Sequence, residues 1–228
     1  MTIASMGYPD IIAPTLILDK LVKEWRWSLA RTDSLEICKR HGLAPRDIPD
    51  AAAFFDLMRA KLDVYDIIQE RGGEILCDLN KPLGWSTLKP HKAYDIVIDV
   101  GTLEHCFNIA QAIFNMASMV KVGGVIIHEN PYNWGNHGFY NINPTFFNDF
   151  YLANGFEIRK CYIVDRAGNS AEVPMGKRFI FMEGEVNIFT VAERISQQSF
   201  VYPTQAKYAN LIPAAGVPGE KEKEIAHG

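Results

Sequence analysis

The sequence predicts a doubly wound α/β domain, a mostly parallel sheet with helices on both faces. Three observations predict it. Short apolar segments of strand length alternate with longer segments of helical period along most of the chain. The segment Tyr94–Val100 is apolar throughout apart from its Asp residues, as a strand buried on both faces of a parallel sheet requires. Acidic or polar side chains sit at four strand segments, and ligands on such sheets bind beyond the carboxyl ends of the strands.

Taken in order, Leu16–Leu29 reads as a helix, because Ile17, Leu21, Trp25 and Leu29 recur every four residues. Ser34–Cys38 is the candidate first strand. Ile48–Lys61 reads as a helix with Ala52, Phe55, Leu57 and Met58 on its apolar side. Leu62–Ile67, Glu74–Leu79 and Tyr94–Val100 follow as the second, third and fourth strands. Asn108–Met119 is a helix built on Ile109, Ile113, Met116 and Val120. Gly123-Gly124 is expected to end it before a fifth strand, Val125–His128. Pro144–Asn154 is a further helix. Phe156–Val164, Phe179–Met182 and Val186–Glu193 complete the strands. Right-handed crossovers then wind the sheet in both directions. The expected divisions are residues 1–30 as a helical segment or lid, 31–200 as the sheet domain, and 201–228 as an extension. The end of that extension, rich in Pro, Gly, Lys and Glu, is expected to be disordered.

A chain of 228 residues, 48% hydrophobic and 22% charged, can bury one sizeable core. Its net charge of -4 and the lack of a Lys/Arg run argue against a nucleic-acid partner. No apolar run is long enough to cross a bilayer. No basic region followed by an apolar stretch opens the chain. Cys38, Cys77, Cys106 and Cys161 are not at metal-like spacing and read as free thiols. Together these point to a cytoplasmic location with no membrane partner.

The polar strand ends carry the functional reading. Glu36 lies in the candidate first strand, Asp66 ends the second, and Asp78-Leu79-Asn80 ends the third. Asp99-Val100-Gly101-Thr102-Leu103-Glu104-His105 ends the fourth. A nucleoside across such a crevice needs a carboxylate for its ribose hydroxyls, an acceptor for its adenine amino group and an apolar face for the ring. Asp66 suits the first task, Asp78 and Leu79 the second and third. An Asp at a strand end serves equally as a turn or helix cap, so the argument rests on the joint order of these residues.

That order, with YDIVIDVGTLEH, a helix and then VKVGGVIIHENP, resembles the class I S-adenosylmethionine (SAM)-dependent methyltransferases over roughly residues 34–195. VKVGG is similar to the turn before the fifth strand of that family. NHGFYNINPTFFNDFYLANGF resembles a subgroup with an NHGFY-type loop after that strand. The resemblance implies SAM as cofactor and S-adenosylhomocysteine as product. It implies Glu36 near the methionine amino group, Asp66 on the ribose, and Asp78 and Leu79 at adenine. Asp99, Gly101 and Thr102 would line the sulfonium end. The family's glycine-rich first-strand loop aligns with LEICKRHG, where Cys38 stands in place of the first Gly and only Gly42 remains nearby.

Methyl transfer to a hydroxyl needs a base. His137, among Tyr132, Trp134, Asn136, Phe139 and Tyr140, is the first candidate and His105 the second. A loop histidine satisfied by local hydrogen bonds is the plain alternative for His137, and a structural one for His105. Some relatives hold a divalent cation on Glu-x-x-Glu-His. Here the first Glu is replaced by Gly101, and His128 and Glu129 could complete a site only if the loops converge, so no metal is expected. Asn130-Pro131-Tyr132 resembles an amino-methylation motif but follows the wrong strand, and Gly72-Gly73 reads as a turn. The expected function is methyl transfer to oxygen, in preference to nitrogen, of a small molecule or saccharide. The alternative is a non-catalytic relative that binds a nucleoside or a protein, suggested by Cys38. A homodimer stays open, with Trp25, Trp27 and Val201-Tyr202-Pro203 as candidate surfaces.

Overall fold

The structure is a computed structural model, and it describes residues 1–12, 19–20, 23–24, 31–32, 35–40, 44, 48–84, 93–179, 184–209 and 211. The elements run β1 (Thr2–Met6), β2 (Arg31–Thr32), α1 (Leu35–Arg40), β3 (Ile48–Pro49), α2 (Ala51–Leu57), β4 (Lys61–Asp66), β5 (Ile75–Leu76) and β6 (Tyr94–Val100). A 3-10 turn (Leu103–His105) follows. Then come α3 (Ile109–Met119), β7 (Val120–Pro131), α4 (Pro144–Ala153), β8 (Phe156–Asp165), β9 (Ser170–Glu172), β10 (Val186–Arg194) and α5 (Ala206–Ala209).

Eight strands form one sheet in the order β5-β4-β1-β6-β7-β10-β8-β9, and β2 and β3 form a separate pair. β5, β4, β1, β6 and β7 are mutually parallel. β10 runs antiparallel between β7 and β8, and β9 is antiparallel to β8. The chain leaves β1 towards β4 and β5 on one side, then returns to β6 and β7 on the other. The predicted doubly wound α/β class is therefore correct, and the switch point lies between β1 and β6. Side-chain alternation on β1 shows both faces covered. Ala4 and Met6 join the core built on α3 and α4, whereas Ile3 joins Ala51, Phe55 and Ala60 beneath α2.

The identity of the first strand is a correction. The part of Ser34–Cys38 that the structure describes is not a strand: Leu35–Cys38 lies in α1, with Glu36 exposed and Cys38 buried. The central strand is Thr2–Met6, paired with β4 and β6, so the sheet takes in part of the segment expected to form a helix or lid. The remainder of Leu16–Leu29 lies mostly outside the described residues, as does most of Phe179–Met182. Ile48–Lys61 is shorter as a helix than expected. Ile48–Pro49 pairs with Arg31–Thr32, and Asp50 caps α2 by accepting from the Ala53 N–H at 2.8 Å.

Gly123-Gly124 does not end the preceding helix. α3 stops at Met119, and Val120 already pairs with Tyr94. The two glycines lie inside β7, where the register with β6 shifts. A Cβ on Gly124 would stand 2.9 Å from the Tyr94 and Asp95 carbonyl oxygens, so the strand approaches β6 there only because that side chain is missing. α3 and α4 start where expected. Asn108 accepts from the Gln111 N–H and Asn143 from the Thr145 N–H, with Pro144 at the first helical position. The Val201 segment folds back on its own chain: Asn154 holds the Val201 backbone from both sides, and Tyr202 meets Phe114 edge-on. Trp25 and Trp27 lie outside the described residues.

Candidate functional site

A crevice of about 250 Å³ opens at the carboxyl ends of β1, β4, β5 and β6, at the switch point. Asp66, Asp78, Leu79, Gly101, Thr102 and His105 all line it. The strand ends converge because the central strand that separates them is short and ends in a turn. Gly7 makes that turn with φ of +77°, and its N–H donates to the Tyr65 carbonyl at 2.8 Å. A Cβ on Gly7 would sit 3.3 Å from Thr102 Oγ1, and Thr102 Oγ1 itself donates to the Met6 carbonyl. This is the glycine that brings backbone close to the crevice. The sequence reading sought it near Cys38 and Gly42. The available signal was a short apolar run, Thr2–Met6, closed by a glycine.

The two crevice carboxylates differ. Asp78 is occupied: Oδ1 accepts from the Asn80 N–H and side-chain amide, and Oδ2 pairs with Lys81 at 3.0 Å. The Asn80 and Lys81 contacts hold its carboxyl below the usual range. Asp66 uses only Oδ1, accepting from the Ile68 N–H at 3.2 Å, and Oδ2 carries no hydrogen bond among the described residues. Asp66 is thus the open acceptor, and Asp78 has the turn-cap role at least. Leu79 is nearly buried, with its carbonyl held by Asn115, whose side chain also binds Lys81 and Leu83. Burial pushes the nearby thiols up, Cys77 to about 11 and Cys106 to about 12, which disfavours the thiolate form of each.

Asp99 and Glu36 are not in the crevice lining. Asp99 is fully buried and works inside the fold. Its Oδ1 accepts from the Thr102 and Leu103 N–H groups, forming the turn after β6, and its Oδ2 faces His128 Nδ1 at 2.6 Å and Asn130 Nδ2 at 3.1 Å. His128 Nε2 meets Tyr151 Oη at 2.6 Å. Burial raises Tyr151 well above the usual phenol range, so it stays a neutral phenol, and both ring nitrogens of His128 have a partner. His128 is therefore a satisfied core histidine. Glu129 binds the Asn187 side chain. The convergence that would have placed His128 and Glu129 with His105 does not occur.

His137 arrives instead. The loop after β7 folds over the 3-10 turn. Phe139 N–H donates to the Glu104 carbonyl at 2.9 Å, and Tyr140 Oη donates to the Phe107 carbonyl at 2.8 Å. Gly138 permits this, since a Cβ there would stand 2.9 Å from the Glu104 carbonyl oxygen. His137 Nε2 then lies 3.5 Å from Glu104 Oε1, and His105 Nε2 lies 3.9 Å from the same oxygen. The two imidazole rings are 5.1 Å apart, and Trp134 flanks His137 edge-on. Glu104 Oε2 accepts from Asn130 Nδ2 at 3.0 Å, whereas Oε1 is buried with no hydrogen-bond partner among the described residues. Burial, with the Asp99 charge beside it, pushes the Glu104 carboxyl up to about 7. Burial and the neighbouring His137 hold His105 below its usual value. Glu104, weighed from the sequence only within an incomplete cation element, and Asn130, set aside with its motif, are the residues to which sequence reasoning gave no site role. The Glu-His dipeptide marked the position, but burial and the Asn130 contact are tertiary.

No family profile and no curated protein match this chain. Among solved structures, the chain is similar to a Haemophilus influenzae protein assigned as a methylase. The identity is 13% and the TM-score 0.31, covering 85% of this chain and 80% of that one. It is also similar to an O-methyltransferase family protein from Burkholderia thailandensis, with 14% identity and a TM-score of 0.32, covering 86% of this chain and 52% of that one. A third is the PH0226 protein from Pyrococcus horikoshii, with 11% identity and a TM-score of 0.27, covering 85% and 83%.

Proposed function

We propose that this chain is a SAM-dependent methyltransferase acting on an oxygen, in preference to a nitrogen, of a small molecule or saccharide. The observation that carries the reading is Asp66. Its carboxylate oxygen Oδ2 is an open acceptor in a crevice at the switch point, beside the left-handed Gly7 turn. Those are the two features a nucleoside needs from such a sheet: an acidic group for the ribose hydroxyls and backbone close enough to meet the rest of the ligand. The residues fit the cofactor. Asp66 would hold the ribose, Asp78 and Leu79 the adenine edge and face, and Gly101 and Thr102 the far end. When bound, the cofactor supplies an electrophilic methyl group.

The chain's own contribution is placement. In-line transfer gains most of its rate from alignment, and a crevice between four fixed strand ends provides a rigid frame. His105 lines that crevice, and with His137 and Glu104 it forms a cluster beside it that can take up or stabilise a proton. Exposed Phe107 and Phe139, stacked edge to face at 5.3 Å, add an apolar platform beside it. The non-catalytic alternative rested on Cys38 in the glycine loop. Cys38 lies on α1, so that support is gone.

Calorimetric titration with SAM and with S-adenosylhomocysteine tests the reading. Micromolar binding is expected, near -8 kcal/mol at about 1 µM. Asp66→Ala should weaken it by about 1.5–3 kcal/mol, roughly ten- to a hundredfold. Absence of binding, or binding indifferent to Asp66→Ala, refutes the assignment.

A further inference from the structure

Three groups stand together at the β6 end of the crevice. Glu104 is buried, and His105 and His137 are partly exposed above it, with side-chain exposures of 48% and 37%. One oxygen of Glu104 and one nitrogen of each ring lie within 4.8 Å of one another. The three come from two separate segments, the turn after β6 and the loop after β7. The loop is held there by the Phe139 and Tyr140 hydrogen bonds and by the glycine at 138.

From this geometry we infer that Glu104, His105 and His137 form a binding site for a divalent transition-metal cation. The inference stands on the cluster alone and does not rest on the methyl-transfer reading. Its central observation is Glu104 Oε1, which is buried, has no hydrogen-bond partner among the described residues and points at both imidazoles. A buried carboxylate oxygen left without a donor is costly. A cation on its histidine side removes that cost. Glu104 is also the second carboxylate in a dry region. Asp99 beside it is fully buried, and Asn130 Nδ2 is shared between the two. His128 and two backbone N–H groups serve Asp99, whereas among the described residues the Asn130 amide is the one side-chain donor to Glu104.

The distances suit such an ion. Bonds of about 2.1 Å at tetrahedral angles place neighbouring ligand atoms roughly 3.4 Å apart. The Glu104–His137 separation of 3.5 Å already matches, and the His105 separation of 3.9 Å needs about half an ångström of closure. Exposed imidazoles can move that far by side-chain rotation. Two imidazoles and one carboxylate select zinc, cobalt, manganese or iron over magnesium, which prefers oxygen alone. Asn130 holds the free side of the carboxylate, as the outer partner of a metal ligand does. Three protein ligands would leave coordination positions open, and one of the three, His105, lines the crevice that an acceptor would enter.

The test uses the full chain, stripped with EDTA and desalted. Cobalt(II) is titrated while its visible d–d absorption is followed, and zinc(II) and magnesium(II) are titrated by calorimetry. One equivalent of cobalt and of zinc should bind, and magnesium should not compete. His105→Ala and His137→Ala, both at exposed positions, should each weaken cobalt binding by at least about tenfold. Glu104→Gln should do the same, with circular dichroism to confirm folding. No binding overturns the inference. So does binding that survives the His105→Ala/His137→Ala double variant, and so does magnesium binding as tight as zinc. A chain that binds S-adenosylhomocysteine but no cation refutes this site alone. One that binds a cation but not S-adenosylhomocysteine refutes the methyl-transfer reading alone.

Discussion

Replacing Glu104 with Gln should stabilise the metal-free protein, and increasingly so as pH rises. Glu104 is fully buried, and its carboxyl is pushed from 4.5 up to about 7 by burial and by Asp99. The folded chain therefore holds this proton to higher pH than the unfolded chain does. The group's contribution is fully favourable below about pH 4.5 and is lost as pH rises through about 7. The whole shift corresponds to about 3 kcal/mol, and about 2 kcal/mol of it falls between about pH 5.5 and about pH 8. Gln keeps the shape and can still accept from Asn130 Nδ2, while its amide offers a donor to the histidine nitrogens in place of an orphaned oxygen. The assay is urea unfolding of both proteins in EDTA across that pH range. The stability difference should widen in favour of Glu104→Gln by about 2 kcal/mol towards alkaline pH. Parallel curves, or a variant that loses ground as pH rises, would refute the electrostatic account of this site.

Two structural predictions complete the set. Asn115→Ala removes four hydrogen bonds that pin Leu79, Lys81, Leu83 and Gln111, so urea unfolding should show a loss of about 2–4 kcal/mol. S-Adenosylhomocysteine affinity should fall with it, because residues 78–80 form one wall of the crevice. A loss under about 1 kcal/mol would mean that water replaces the amide. Gly124→Ala drives a methyl against two fixed carbonyl oxygens of β6 and should cost about 1–3 kcal/mol. Gly123→Ala meets nothing within 4 Å and pays only for its φ of +78°, about 1–2 kcal/mol. Equal and negligible effects at both positions would show that β6 and β7 do not approach so closely.

The sequence by itself determined the class of fold and most of the crevice. Tyr94–Val100 is legible as a buried strand because a continuous apolar run admits few other placements, and Asn108 and Asn143 mark helix starts through local hydrogen bonds. Asp66, Asp78, Leu79, Gly101, Thr102 and His105 were found because strand ends follow directly from strand bodies. Only the tertiary structure decided which segment is the central strand. Thr2–Met6 and Leu35–Arg40 are each too short for periodicity to separate strand from helix. The choice falls to pairing with β4 and β6, segments far away in the chain. It also decided that Asp99 and His128 serve the interior, since a side chain's burial depends on what covers it. The meeting of Glu104 with His137 depends on a long-range loop closure at Gly138, where backbone from two distant segments comes into contact. Local preference specifies elements; the positions of charges relative to one another are set by packing, over distances that no local pattern records.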